Sequence, residues 1–276
     1  MLYHLLRIQF LLISLMLAQC LVQPVICQQH VSHKIPFLHN APKIDGDLSE
    51  WKMMAFGDGE WNLNRVKQSA WYESKRNKLT VEIKEDLAGI DLTAEYFIGW
   101  DHLYFYFGAE VCDNILDVDD SKHENKRWYY KDAIAWFIEF PRDSLAESFG
   151  DGDHAFCFVL DTLKPNYGAW WRHGNLDSTY IEEALPKNVV DYVIRAEQLS
   201  SGSWKYTLEA RVDMSRTFGL NKSDWKAPVI GDSIGLMLVH CDPDGGDYGG
   251  HLLIYGKGDN DSTWTKFTLT QSVAHE

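Results

Sequence analysis

One local pattern recurs along most of the chain: a short run of β-branched and aromatic residues closed by Asp, Gly or Asn. It is clearest in "LTVEIKE" (79–85), "EYFIGW" (95–100), "LYFYFGAEVC" (103–112) and "AIAWFIEF" (133–140). It continues in "HAFCFVLD" (154–161), "VVDYVIRAE" (189–197), "WKYTLEARV" (204–212), "SIGLMLVHC" (233–241) and "TWTKFTLT" (263–270). Several runs alternate with period two. Tyr206, Leu208, Ala210 and Val212 stand against polar neighbours, as in a strand with one buried face. Asp101-His102 joins the second and third runs at hairpin length. Helical periodicity is confined to short segments at 47–54, around 143–148 and at 213–219. The pattern predicts an all-β fold: an antiparallel β-sandwich, jelly-roll-like, with short helices and long inserted loops.

The two ends of the chain read differently. Residues 1–27 carry a basic residue, Arg7, then the apolar stretch "IQFLLISLMLA", then small or modest residues at two cleavage positions. That is the layout of a secretory signal peptide, cleaved after Cys27 or after Cys20, and it is short for a bilayer span. The expectation is a secreted protein, extracellular or periplasmic, with no membrane contact after cleavage. Residues 28–39 read as a flexible leader and 40–272 as the sandwich. The domain opens on "NAPKIDGDLSEWKMM" (40–54). There Asp45-Gly46 makes a turn and Asp47 caps a brief helix, with Glu50 three residues on as in a capping box. Leu48 and Trp51 then face the sandwich together.

Composition narrows the partners. A formal net charge of −14 makes nucleic acid and anionic lipid poor candidates and leaves neutral ligands or cations. After cleavage Cys112, Cys157 and Cys241 remain, an odd number set in apolar runs, and read as small buried hydrophobes. Asp-rich strand ends recur: "CDNILDVDD" with Asp113 and Asp117, "GDGD" with Asp151 and Asp153, and "CDPDGGD" with Asp242, Asp244 and Asp247. Such ends offer hard cations several oxygens, although Asp is also ordinary turn chemistry. The eleven tryptophans include the adjacent pair Trp170 and Trp171, followed by Arg172. On an extended segment those two rings point opposite ways, one to the core and one out. No Gly-x-Ser-x-Gly elbow, His-Glu-x-x-His or phosphate loop is present. Glycoside hydrolysis needs two carboxylates at a set separation, and the spacing singles out no pair.

Five motifs in order carry a resemblance: "IDGDLSEW", "FIGWDHLYFYFGAEVCD", "WYYKDAIAWFIEF", "DSIGLMLVHCDPDGGDYGG" and "STWTKFTLT". Over roughly residues 40 to 270 they resemble carbohydrate-binding modules of family 9, while 57–90 and 141–190 match poorly and read as segments holding insertions. The resemblance implies a β-sandwich with structural calcium that grips a sugar between two aromatic rings. By position the first ring is Trp128 or Tyr129 and the second Trp264, with Trp170, Trp171 and Arg172 in reserve. The calcium ligands would come from Asp113, Asp117, Asp242, Asp244 and Asp247. The implied function is non-catalytic glycan binding in support of carbohydrate catabolism. Three positions depart from the family: Ala135 stands for a Glu, and Cys157 and Val159 for an Arg and an Asn. Two alternatives stay open. One is a glycoside hydrolase or its accessory subunit. The other is a haem-binding sandwich using Met214 or Met237 with His154 or His240.

Overall fold

The structure is a computed structural model that describes residues 33–51, 55–60, 92–118, 127–143, 150–161, 169–174, 180–243, 251–258 and 260–271. The strand expected at 79–85 and residues 144–148 of the expected helix lie outside the described residues. Two sheets are present among the described residues. The larger follows the order β1 (Lys34–Pro36), β13 (Thr265–Thr270), β11 (Ser233–Cys241), β5 (Ala133–Glu139), β6 (Asp153–Val159), β7 (Ala169–Gly174) and β8 (Tyr180–Ala184), with β12 (His251–Ile254) also paired to β11. The smaller runs β2 (Ala55–Glu60), β3 (Leu92–Trp100), β4 (Tyr104–Asp113), β10 (Trp204–Asp213) and β9 (Val190–Gln198). All neighbours are antiparallel except β1 and β13. The all-β sandwich is the architecture that the alternation predicts.

The sheets meet over one apolar core. Tyr206, Leu208, Ala210 and Val212 of β10 are fully buried in it, as their period requires. Phe107 of β4 stacks on Trp136 of β5 with ring centroids 5.0 Å apart. Polar contacts also cross between the sheets: the Tyr96 hydroxyl on β3 lies 2.7 Å from His240 Nδ1 on β11, and Trp100 Nε1 on β3 donates to the Ile35 carbonyl on β1 at 3.1 Å.

Several elements differ from the sequence reading. Residues 34–36 are no loose leader but pair with β13, and Ile35 is buried. Among the described residues there is no α-helix, only the single 3-10 turns Leu48–Glu50, Trp128–Tyr130 and Asp261–Thr263. The helix expected at 213–219 is a set of turns. Asp213 accepts from the backbone N–H of Ser215 (2.9 Å) and Arg216 (3.1 Å) as a helix cap would. The bonds that follow run from Gly219 N to Met214 O (3.1 Å) and from Leu220 N to Thr217 O (2.9 Å), so no regular helical ladder forms.

The opening motif is explained by a residue far away in sequence. Glu209 of β10 is fully buried on the outer side of the smaller sheet. It accepts from the backbone N–H of Asp45 (2.8 Å) and of Gly46, and from Trp51 Nε1 (2.6 Å). Asp47 does cap the 3-10 turn, accepting from Ser49 N at 2.9 Å. Glu50 does not close the capping box; it accepts from Lys43 N at 3.0 Å. Leu48 and Trp51 pack with Phe97 and Tyr106, outside the main core. Gly46 holds φ +86°, and a Cβ there would meet the Arg195 side chain at 2.5 Å, so only glycine fits the turn without a shift.

Candidate functional site

Strand alternation assigns the two faces of the larger sheet. Ile134, Trp136 and Ile138 of β5 point into the core, and Ala133, Ala135 and Phe137 point away from it. Ala155, Cys157 and Val159 of β6 and Met237, Val239 and Cys241 of β11 join that outer face. Register lines up one row across it: Leu253, Val239, Ala135, Cys157, Trp170 and Ala184. Trp170 is therefore half-buried at the margin of this face, while Trp171 is buried in the core with its Nε1 donating to His154 Nδ1 at 3.0 Å. The adjacent pair splits as alternation requires, and Trp171 leaves the set of sugar-facing candidates.

Trp128 and Trp264 belong to the outer cluster but are only 3% and 1% exposed. The Trp264 ring sits edge-on to Phe137 at 5.7 Å, and its Nε1 donates to the Gly258 carbonyl at 2.9 Å. The expectation that these two indoles stand as open platforms is corrected. Small side chains at 133, 135, 155 and 157 leave depth on the face, and the large rings fill it. Cys157 and Cys241 are buried here and Cys112 is half-buried, and none of the three is in a disulfide.

The polar part of this face lies towards β7 and β8, where Tyr180 is exposed and Arg172 is only 8% exposed. Arg172 is opposite Ala155 and Glu182 in register. Its Nε and Nη2 donate to Glu182 Oε2 at 3.1 and 2.8 Å. The guanidinium carbon stands 4.4 Å from the ring centroid of Tyr180, which is 46% exposed. Tyr129 is half-buried beside Trp128 (5.5 Å, edge-on), and its carbonyl lies 2.8 Å from His251 Nε2. Burial pushes the Tyr129 hydroxyl up, and Arg127, Tyr130, Glu182 and Arg172 all act on it electrostatically. Tyr129, Trp170, Arg172, Tyr180 and Glu182 thus form one margin: flat apolar rings beside a paired cation and carboxylate. Ala135, Cys157 and Val159, at the middle of the face, are apolar and buried.

At the start of β5 three carboxylates converge. Asp113, Asp132 and Asp242 each place an oxygen within 4.8 Å of the others, and all are buried. Asp117 adjoins them: its N–H donates to Asp132 Oδ2 at 2.6 Å, but its carboxylate is not one of the three. Asp244 and Asp247 lie outside the described residues. Asp132, which directly precedes β5, is not among the ligands expected from the sequence. The Tyr206 hydroxyl, fully buried, has no hydrogen-bond partner, and burial and then Asp132, Asp113, Asp242 and Asp117 push it well up. An all-oxygen set of crowded carboxylates is suited to a hard cation such as calcium. It is poorly suited to glycoside hydrolysis, because buried carboxylates cannot flank a polymer bond. Of the haem pairs, Met237 faces outward and His240 is on the inward side of the same strand, so these two do not meet at one site. Met214 is packed in the core, and burial holds His154 well below the usual imidazole range beside Trp171 and Phe218.

Comparison with known proteins gives a consistent picture. A family model described as "Carbohydrate family 9 binding domain-like" matches residues 64–269. A carbohydrate-binding module of family 9 from Caldicellulosiruptor kristjanssonii, solved in complex with glucose, is similar at 17% identity, with 88% of this chain and 97% of that chain covered and a TM-score of 0.52. A structure from the same organism in complex with cellotriose is similar at 16% identity, covering 86% and 94%, also with a TM-score of 0.52. No curated protein matches. At these identities the solved structures bear on the fold.

Proposed function

Because the chain belongs to the carbohydrate family 9 binding domain-like family, we propose that it is a non-catalytic glycan-binding protein. Its ligand lies on the margin formed by Tyr129, Trp170, Arg172, Tyr180 and Glu182. The carrying observation is that clustering: three accessible or half-buried rings beside an Arg–Glu pair, on the outer face of the larger sheet. An aromatic ring stacks on the apolar face of a pyranose, and charged groups at its edge bond the equatorial hydroxyls. The absent Glu and Arg of the family pattern are replaced in this scheme by Glu182 and Arg172, two strands away from Ala135. The related structures hold glucose and cellotriose, which makes β-linked glucose oligomers the first ligands to try.

Calcium belongs to this reading as a structural ion. Asp113, Asp132 and Asp242 would hold it, with Tyr206 directed at the same group. When bound, the ion supplies charge neutralisation that ties the ends of β4 and β11 to the start of β5. Residues 1–27 are read as an export signal, placing the mature protein outside the cytoplasm; an N-terminus at Gln28 or Leu21 in secreted material supports this, and an intact Met1 in such material overturns it.

The site assignment is tested by calorimetric titration of cellotriose into the wild type, Trp170→Ala and Arg172→Ala. Both variants are expected to lose about tenfold in affinity, equivalent to about 1.4 kcal/mol. Trp170→Ala keeps near-wild-type melting, while Arg172→Ala also removes a buried ion pair with Glu182 and melts lower while staying folded. Affinity unchanged in both sinks the assignment.

A further inference from the structure

A second group of carboxylates gathers at the far end of β5, seven residues along the strand from the Asp132 cluster. Oxygens of Glu139, Asp143 and Asp261 all lie within 4.8 Å of one another, and Glu139 and Asp261 are each buried. Asp153 is directly opposite Glu139 in the β5–β6 register and is buried as well. One of its oxygens accepts from Gly150 N at 2.6 Å; the other, Oδ1, is buried with no hydrogen-bond partner. Burial and then the charges of Asp261, Glu139 and Asp143 push the Asp153 carboxyl up to about 8. Arg142, with Nη1 3.3 Å from Glu139 Oε2, offsets one of the four acids.

The surroundings are shaped to hold these groups. At Gly235 on β11 a Cβ would meet Glu139 Oε2 at 2.5 Å and Arg142 Nη1 at 2.6 Å, so the glycine makes room for the carboxylate across the strand. Asp261 opens the 3-10 turn Asp261–Thr263, and its carbonyl accepts from Trp264 N at 2.8 Å. Three of the four acids, Glu139, Asp153 and Asp261, are buried while Asp143 is exposed at the rim, and gathering buried carboxylates in this way is costly without a counter-ion.

We propose that Glu139, Asp143, Asp153 and Asp261 form a second cation site, specific for a hard divalent ion of the calcium class and separate from the Asp113–Asp132–Asp242 cluster. The donor set is entirely oxygen, which selects against the softer transition metals. Its ligands come from turns and strand ends, which accommodate the irregular coordination of calcium better than the strict octahedron of magnesium. Occupancy fastens the Asp261 turn to β5 and β6 and so seats Trp264 on the outer face. The inference does not depend on the sugar reading.

The test is calcium stoichiometry on the chelator-stripped full-length protein, by calorimetry, for the wild type, Asp153→Asn, Asp261→Asn and Asp242→Asn. Asn at 153 keeps an acceptor for Gly150 N–H, so Asp153→Asn retains the fold even where Asp261→Asn does not, and near-ultraviolet circular dichroism verifies this. Asp153→Asn is expected to lose one calcium equivalent, or at least tenfold in the affinity of one, while Asp242→Asn leaves that equivalent in place. Terbium bound here is sensitised by the neighbouring Trp264, and that emission falls in Asp153→Asn. Wild-type stoichiometry and affinity in Asp153→Asn, with unchanged terbium emission, overturns the proposal.

Discussion

Trp264→Ala separates a packing ring from a binding ring. Trp264 is 1% exposed, sits edge-on to Phe137 and donates from Nε1 to the Gly258 carbonyl. A tryptophan buries about 200 Å², and at about 25 cal/mol per Å² the lost transfer free energy is about 5 kcal/mol. Partial collapse of the site brings the expected cost to about 3–5 kcal/mol, the range seen for large aromatic truncations. For a domain of this size each kcal/mol lowers the melting temperature by roughly 2–4 °C, so a fall of about 10 °C is expected. Differential scanning calorimetry in saturating calcium reads it, with Trp170→Ala alongside as the half-buried control that moves much less. A melting temperature within about 2 °C of wild type, together with lost cellotriose binding, would refute the reasoning. It would mean that Trp264 is an open platform after all.

Three further outcomes follow from named contacts. Glu209→Ala leaves the N–H groups of Asp45 and Gly46 and Trp51 Nε1 without their acceptor, and at about 1 kcal/mol or more per buried donor it costs about 3 kcal/mol; an unchanged denaturation midpoint contradicts this. Gly46→Ala forces a side chain into a left-handed turn against Arg195 and is expected to cost about 1–3 kcal/mol, read the same way. Burial lowers His240 to about 3 and His251 to about 4, so the unfolded chain takes up protons near pH 6.5 that the folded chain refuses. Their contribution is full above about pH 6.5 and is lost as pH falls towards 4, so denaturation midpoints in calcium should be lower at pH 5 than at pH 7.5. Equal midpoints contradict the burial of both imidazoles. Calcium is kept present because the raised Asp153 carboxyl acts in the opposite sense in chelated protein.

What the sequence made legible was whatever its own periodicity carries. β3, β4, β5, β6, β10 and β11 have strong apolar runs bounded by turn residues, and the expected strands fall on them within three residues at either end. β8 was missed because it is an edge strand with little buried on either side, so neither alternation nor a continuous run marks it. β1 is three residues long and depends on β13 for its existence. The site was less legible. "GDNDSTWTK" is polar on both sides of Trp264, yet the small residues at 135 and 157, distant in sequence, let that ring sink from view. The Asp45-Gly46 turn looked self-sufficient, although its acceptor is Glu209 on β10. The carboxylate clusters are equally tertiary: Asp132 meets Asp113 and Asp242, and Glu139 meets Asp153 and Asp261, only after the strands register.

The most direct measurement is a tryptophan-fluorescence titration of the wild-type protein with glucose, cellotriose and a panel of other soluble oligosaccharides, run once in calcium and once in chelator. A saturable shift with one sugar class is predicted, reporting from Trp170 at the margin and weakened on chelation. No response to any sugar from a calcium-loaded, folded protein would contradict glycan binding as the function of this sandwich.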